Sequence, residues 1–244
     1  MRKLLNTTAL LLLIFASNLY AQQFSRMEQV VKIDESGAAT VDVQVQLSTA
    51  DSLSTFQLGC AFSEVASIRA MLQPGDTSIP IAHLLENEVP YIQGSVQIPP
   101  GDYTLLIEAY VDEFLDWEDA GPEEFETYEW DLMYENTQPR SIDHSSLTII
   151  LPKGWNFHRV LDSAPPFKKK DPKPPYTFSR DGDLASVTIS RAPLNYRDQL
   201  GLTFAFKQER KGSTIVAVGV VIALLYLFFF RDLILKHYSK HDNS

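Results

Sequence analysis

The sequence predicts an all-β chain: an antiparallel β-sandwich ectodomain, built as one large or two small sandwiches, followed by one C-terminal transmembrane helix. Three observations carry this. Apolar and polar residues alternate through much of residues 22–211, which is the period of a half-buried strand. No long amphipathic helix interrupts the series, the best candidate being a helical turn or two over 81–88, so an α/β arrangement is disfavoured. Residues 212–230, GSTIVAVGVVIALLYLFFF, form an uncharged run of 19 residues. At the helical rise such a run spans roughly 28 Å, close to the hydrocarbon thickness of a bilayer.

Taken in order, the chain opens with Arg2 and Lys3, an apolar centre over 9–16 and a small, polar finish over 17–21, the pattern of a secretory signal peptide. Cleavage is expected before Gln22, although Leu19 departs from the small-residue rule. No cysteine follows the apolar run, which argues against a lipid-anchored lipoprotein. The first clear strand is 39–47, where Val41, Val43, Val45 and Leu47 share one face and Asp42, Gln44 and Gln46 the other. It pairs with 27–33 across the turn Asp34-Glu35-Ser36-Gly37, in which glycine supplies a positive φ. Further strands are expected at 53–62, 65–72, 91–98, 103–111, 124–134, 146–151, 156–161, 176–180, 185–191 and 200–206. Proline and glycine turns at 73–76 and 99–102, and Asp181-Gly182-Asp183, separate several of them. Short strands at this spacing point to an antiparallel sandwich.

The expected organisation is therefore a signal peptide at 1–21, a first sandwich half or domain at 22–119 and a second at 120–211. The transmembrane helix at 212–230 and a cytoplasmic tail at 231–244 complete it. The basic residues flanking the helix do not orient it, since Lys207, Arg210 and Lys211 before it balance Arg231, Lys236 and Lys240 after it. The signal peptide does. Whether cleaved or retained, it places residues 22–211 outside the cytoplasm, in a bacterial periplasm or at a cell surface.

Charge narrows the partners. Setting aside Arg2, Lys3 and the tail's three basic and two acidic residues leaves 16 basic against 29 acidic residues in the ectodomain. So acidic a surface argues against nucleic acid and anionic lipid headgroups. Cys60 is the only cysteine, and its neighbours Phe56, Leu58 and Phe62 favour a buried, inert thiol over an intermolecular disulfide. The mature chain has no Asn-x-Ser/Thr acceptor, which favours a bacterial envelope protein over a glycosylated one.

Two segments invite a functional reading. Residues 112–135, DEFLDWEDAGPEEFETYEWDLMYE, interleave 11 acidic residues with aromatics. Trp117, Glu126, Tyr128, Trp130 and Asp131 are the candidate ligand-binding residues there. Clustered carboxylates suit a hard cation and exposed aromatic faces suit a sugar. The spacing matches no calcium loop, and a strand with aromatics inward and carboxylates solvated explains the same alternation. Paired carboxylates also permit glycosidase chemistry, but acids on one strand face are neighbours simply by pleating.

The second segment is 164–176, APPFKKKDPKPPY, an extended proline-rich loop displaying Lys168, Lys169, Lys170 and Lys173. It is the basic island of an acidic ectodomain and the candidate docking site for an acidic partner; a simple solvated loop is the alternative. His83, His144 and His158 are scattered with no cysteine pair to complete a metal site, and His237 and His241 lack a third ligand. Ser145 and Ser146 after His144 form no nucleophile motif. No catalytic residue, cofactor or metal is expected.

The succession YTLLIEAYV, FETYEWDLMYE, SLTIILPKGW and SRDGDLASVTISRAPLNYRDQLGLTFAFKQ leads into an apolar helix. Over residues 24–230 it resembles the extracytoplasmic β-sandwich of a bacterial predicted-membrane-protein family of unassigned function. LPKGW after a strand and LGLTFAF before the helix are its most distinctive points. The resemblance implies an envelope-anchored sandwich domain and brings no catalytic residues with it. The function expected is binding or scaffolding within an envelope assembly, by a protein that is not an enzyme. The competing reading is a sensor, or a carbohydrate- or cation-binding module, using residues 112–135.

Overall fold

A computed structural model of the chain describes residues 22–49, 53–62, 64–86, 89–115, 128–138, 140–168, 170–208, 218–226 and 228–230. The expected signal peptide, the tail and the boundary near 119–122 lie outside the described residues.

The expected hairpin forms from β1 (Gln22–Ile33) and β2 (Ala39–Thr49). Its turn is organised by Asp34. That carboxylate accepts the Ser36 N–H at 2.8 Å and the Ala38 N–H at 3.1 Å, while Gly37 takes φ 92° and donates to the Asp34 carbonyl at 3.2 Å. In β2 the alternation is complete: Val41, Val43, Val45 and Leu47 are buried, and Asp42, Gln44 and Gln46 are exposed. Apolar burial on one face is what sets this register, since a slip of one residue would turn the valines to solvent.

The chain continues through β3 (Leu53–Gly59), β4 (Ser67–Gln73), β5 (Thr77–Ile79), β6 (Ile81–Glu86), β7 (Val89–Ile98) and β8 (Gly101–Val111). After the segment 116–127 come β9 (Tyr128–Glu135), β10 (His144–Ile150), β11 (Trp155–Ala164), β12 (Tyr176–Asp181), β13 (Leu184–Arg191) and β14 (Gln199–Gln208). The described strands assemble into three sheets: an eight-stranded one ordered β12-β13-β10-β1-β2-β8-β4-β5, and two of three strands, β11-β14-β9 and β3-β7-β6. Strand pairing is antiparallel except between β1 and β10, which run parallel from Arg26 opposite His144 to Lys32 opposite Ile150. That seam joins five strands from before residue 112 to three from after residue 143 in one continuous sheet.

The small sheets cover one face of the large one. β14 and β11 pack on β13 and β10, while β6 and β7 pack on β4 and β5. Between the layers lies the core, including Met27, Val31, Val43, Leu105, Ile107, Leu147, Ile149, Val187, Ile189, Phe204 and Phe206. β14 is the spine of its sheet, buried almost throughout. Gly201 is required there, because a Cβ would stand 2.2 Å from the Leu132 carbonyl oxygen and 2.7 Å from the Met133 Cα.

The fold is all-β, with differences from the expectation. Residues 81–86 form strand β6, not helical turns, because pairing with β7 from Ile81 opposite Gly94 to Glu86 opposite Val89 overrides a weak local preference. β5 was not foreseen, and the parallel seam departs from a purely antiparallel arrangement. Of the expected transmembrane helix, the described residues 218–226 and 228–230 are helical, and among the described residues no helix is long and apolar enough to cross a membrane. This helix belongs to a unit of its own, residues 209–244, distinct from the β unit that ends at Gln208.

Candidate functional site

β9 carries the described part of the acidic-aromatic segment. Pleating sends Tyr128, Trp130, Leu132 and Tyr134 to the inner side and leaves Asp131 exposed on the other. The Tyr128 ring stacks on Phe206 at 5.7 Å and meets Trp155 edge-on at 5.5 Å; Trp130 tilts against Phe114 at 6.2 Å. Asp131 instead accepts the Thr203 hydroxyl at 3.1 Å, and Glu129 pairs with Arg159 at 3.5 Å. The rings are half-buried packing against the core, and no groove brings them together with Asp131. Trp117 and Glu126 lie outside the described residues. Among the described residues no three His, Cys, Asp or Glu side chains are placed to hold a metal.

The basic loop follows β11. Ser163 ties its base, donating to the Pro165 carbonyl at 2.8 Å and accepting the Phe167 N–H at 3.2 Å. A turn closes where the Lys168 N–H donates to Asp171 Oδ2 at 3.0 Å and the Asp171 N–H returns to the Lys168 carbonyl at 2.8 Å. Lys168, Lys170 and Lys173 are exposed, and Lys169 lies outside the described residues. The register of β11 on β14 fixes the loop's place: Ala164 is opposite Gly201, whereas Trp155 is opposite Gln208. At strand rise the ten residues of β14 span roughly 30 Å, so the lysines stand at the end of the sheet remote from Gln208, where the β unit ends.

The uncovered face of the large sheet holds features that the sequence alone did not single out. A shallow concavity of about 410 Å³ is lined by Val30, Asp42, Arg69, Met71, Leu106 and Glu108, among others. The registers place Val30, Asp42, Glu108 and Arg69 on one rung across β1, β2, β8 and β4, with Leu106 and Met71 on the next. Asp42 and Glu108 are like charges directly opposite, an unfavourable pair by itself. Arg69 answers it by bonding Glu108 at 2.6 Å; that bond, then the charge of Glu108, and last that of Asp42 raise the guanidinium's proton affinity. The alternation in each strand marks these residues as outward, but only the strand order, which brings β8 beside β2 across the intervening residues 50–100, makes them neighbours.

Buried polar chemistry concentrates beside the β3 terminus. Burial pushes the Cys60 thiol up to about 12 and the Tyr134 phenol further still, and the Tyr134 hydroxyl and the polar atoms Thr137 Oγ1 and Gln138 Nε2 find no partner among the described residues. A neutral thiol and a neutral phenol are neither nucleophile nor base at ordinary pH.

No family model and no curated protein matches the chain. Solved structures to which the chain shows a weak similarity include a mutant M1 zinc metallopeptidase from Deinococcus radiodurans bound to a Tyr-Ser-Ala substrate. The two are 12% identical with a TM-score of 0.43, over 77% of this chain and 42% of that one. Native leukotriene A4 hydrolase from Saccharomyces cerevisiae is 9% identical with a TM-score of 0.46, over 76% of this chain and 29% of that one. This chain thus spans less than half of either, and likeness at this level carries no argument about activity.

Proposed function

We propose that the chain is a single-pass membrane protein whose acidic β ectodomain lies outside the cytoplasm and acts by binding or scaffolding within an envelope assembly. The observation that carries this is the exposure of its helix. Val218, Val220, Val221, Ile222, Leu224, Leu225, Tyr226, Phe228, Phe229 and Phe230 are all exposed, on every side of the helix. A helix apolar all round has no water-facing side and needs lipid or another apolar surface around it. The uncharged run at 212–230 has the length for lipid. The signal-like start gives the orientation, with a short tail in the cytoplasm.

The reading is binding rather than catalysis; the one thiol of the chain, Cys60, is buried and held neutral. The half-burial of Tyr128 and Trp130 gives no support to a sugar- or cation-binding site on β9. The docking element of this reading is the basic run Lys168, Lys169, Lys170 and Lys173, of which the described Lys168, Lys170 and Lys173 are exposed at the end of the sheet remote from Gln208. Its partner is an acidic protein surface of the same envelope assembly.

The test is crosslinking of the tagged full-length protein in its native membrane, followed by mild solubilisation and mass spectrometry. The four-lysine-to-serine variant serves as the comparison. A partner that is recovered with the native chain and lost with the variant at low salt supports the reading. Recovery of the native chain in the soluble fraction after alkaline extraction would overturn the anchor, and equal recovery of partners with the variant would overturn docking through the loop.

A further inference from the structure

The large sheet ends on one side at β12, and that edge lacks the protection found at two others. β5, at the far end of the same sheet, is three residues long and stops at Pro80. β11, the outer strand of its small sheet, breaks register between Phe157 and Arg159 and again between Val160 and Asp162. Short strands, prolines and bulges are the devices that keep an edge from pairing with another chain. β12 runs in unbroken register from Tyr176 opposite Ile189 to Asp181 opposite Leu184, and its central residues Thr177, Phe178 and Ser179 are exposed and uncharged.

The hydrogen-bond alternation shows which backbone groups face outward. Along an antiparallel ladder, successive residues turn their N–H and C=O groups to opposite sides of the strand. The Leu151 N–H donates to the Ala185 carbonyl at 2.9 Å, so Ala185, Val187 and Ile189 serve β10. The Ser190 N–H donates to the Pro175 carbonyl at 3.4 Å, so Ser186, Thr188 and Ser190 serve β12, where Thr177 and Ser179 answer them. Tyr176, Phe178 and Arg180 therefore turn their backbone groups away from β13, along the open side of the sheet. β11 packs over β13, one strand in from this edge. The Phe178 ring lies on the inner side, 5.8 Å from Phe157 and 5.7 Å from Tyr176, yet the residue is 53% exposed.

We propose that the β12 edge pairs with the β12 edge of a second copy of this chain, antiparallel and about a two-fold axis at Phe178. Outward-facing residues pair only with outward-facing ones, which leaves symmetric registers centred on Tyr176, Phe178 or Arg180. Centring on Tyr176 sets Phe178 against Pro174, which has no N–H to give. Centring on Arg180 sets like charges directly opposite. Centring on Phe178 lets the two Phe178 residues exchange both N–H···O bonds, and it sets the Arg180 of each copy across from the other's Tyr176, a guanidinium beside an aromatic ring. The antiparallel run also brings the exposed Lys170 and Lys173, which precede β12, toward the other copy's Asp181, which closes it. Asp181 makes no ion pair among the described residues. The edge thus carries both halves of its own complement, which selects a second copy over a foreign strand. A pairing of this extent is small for a stable dimer in dilute solution. Two copies anchored in one membrane meet at a far higher effective concentration; that gain rests on the single-pass reading, whereas the edge pairing does not.

Single cysteines on the edge of the full-length protein, oxidised mildly in its native membrane, test the proposal. A hydrogen-bonded antiparallel pair holds its Cα atoms about 5.5 Å apart, inside the range of roughly 4.4–6.8 Å that a disulfide spans. Phe178→Cys is expected to give a disulfide-linked dimer. Arg180→Cys, whose two copies stand on opposite sides of the axis and roughly 13 Å apart along the strands, gives none. Neither does the native chain, whose Cys60 is buried. Mass spectrometry of the protein under non-denaturing conditions in detergent gives the second readout. Phe178→Pro removes an outward N–H without taking a bond from β13, so far-UV circular dichroism stays native while the dimer fraction falls roughly fivefold. Phe178→Leu keeps the N–H and most of the dimer. Absence of the Phe178→Cys crosslink, equal crosslinking by Arg180→Cys, or a crosslink to a different protein would overturn the proposal. A dimer that Phe178→Pro leaves intact would overturn it too, placing the contact elsewhere on the chain. These variants leave the lysines in place, so loss of the dimer is separable from loss of an acidic partner in the four-lysine variant.

Discussion

Cys60 follows the end of β3, its N–H bonded to the Pro90 carbonyl at 3.1 Å and its Sγ 3.5 Å from the Phe62 carbonyl. Burial dominates that weak contact and pushes the thiol up to about 12. The folded protein is therefore expected to resist iodoacetamide at pH 8 and to take up one label per chain in urea, measured by intact mass; rapid labelling of the folded chain would show the thiol to be accessible. The same shift gives a sign for stability. The unfolded thiol loses its proton near pH ~8.5 while the folded one keeps it, so this contribution is whole below that pH and declines as pH rises toward 12. Burial of Cys60 was legible in the sequence because Phe56, Leu58 and Phe62 surround it. The orphaned hydroxyls of Tyr134 and Ser145 were not, because hydrogen-bond satisfaction depends on which atoms the other sheet brings near.

Among the elements, the β1–β2 hairpin shows how much a short stretch of sequence can settle. Its turn residues and its alternation agree, and both are local. Asp34 carries a testable consequence. The Ser36 hydroxyl, opposed by burial and joined by the backbone N–H groups of Ser36, Ala38 and Gly37, lowers its carboxyl below the ordinary carboxylate range. A lowered carboxyl contributes stability above its unfolded value of ~3.9 and loses it as pH falls through the lower folded value. Asp34→Asn keeps an acceptor oxygen but cannot ionise. The native chain's advantage in melting temperature over this variant is expected above pH ~4 and to shrink at lower pH; a constant gap from pH 6 to 2.5 would refute the linkage. Nonlocal elements were less legible. β6 was mistaken for helix because its apolar residues satisfy either period over so few positions, and only its pairing with β7 decides. The basic loop was readable from its prolines and lysines, but its place beyond Ala164 depends on the β11–β14 register.

For the molecule as a whole, the parallel β1–β10 seam has the greatest consequence, since alternation in each half is equally compatible with two independent sandwiches. A continuous sheet predicts that damage to one half is felt in the other. Leu105 is 1% exposed on β8, in the half before residue 112. Trp130 and Trp155 lie on β9 and β11, in the other. Leu105→Ala removes buried methyl groups and leaves a cavity, at a cost of about 2–5 kcal/mol. In a domain of this size that lowers the melting temperature by on the order of 10 °C. Because the described tryptophans report on the β11-β14-β9 sheet, fluorescence and far-UV circular dichroism are expected to shift together in the variant, as a single transition. If the halves unfolded independently, the fluorescence transition would keep its native midpoint while circular dichroism split in two. Coincident shifts would mean that the basic loop and the rung of Asp42, Glu108 and Arg69 belong to one cooperative body.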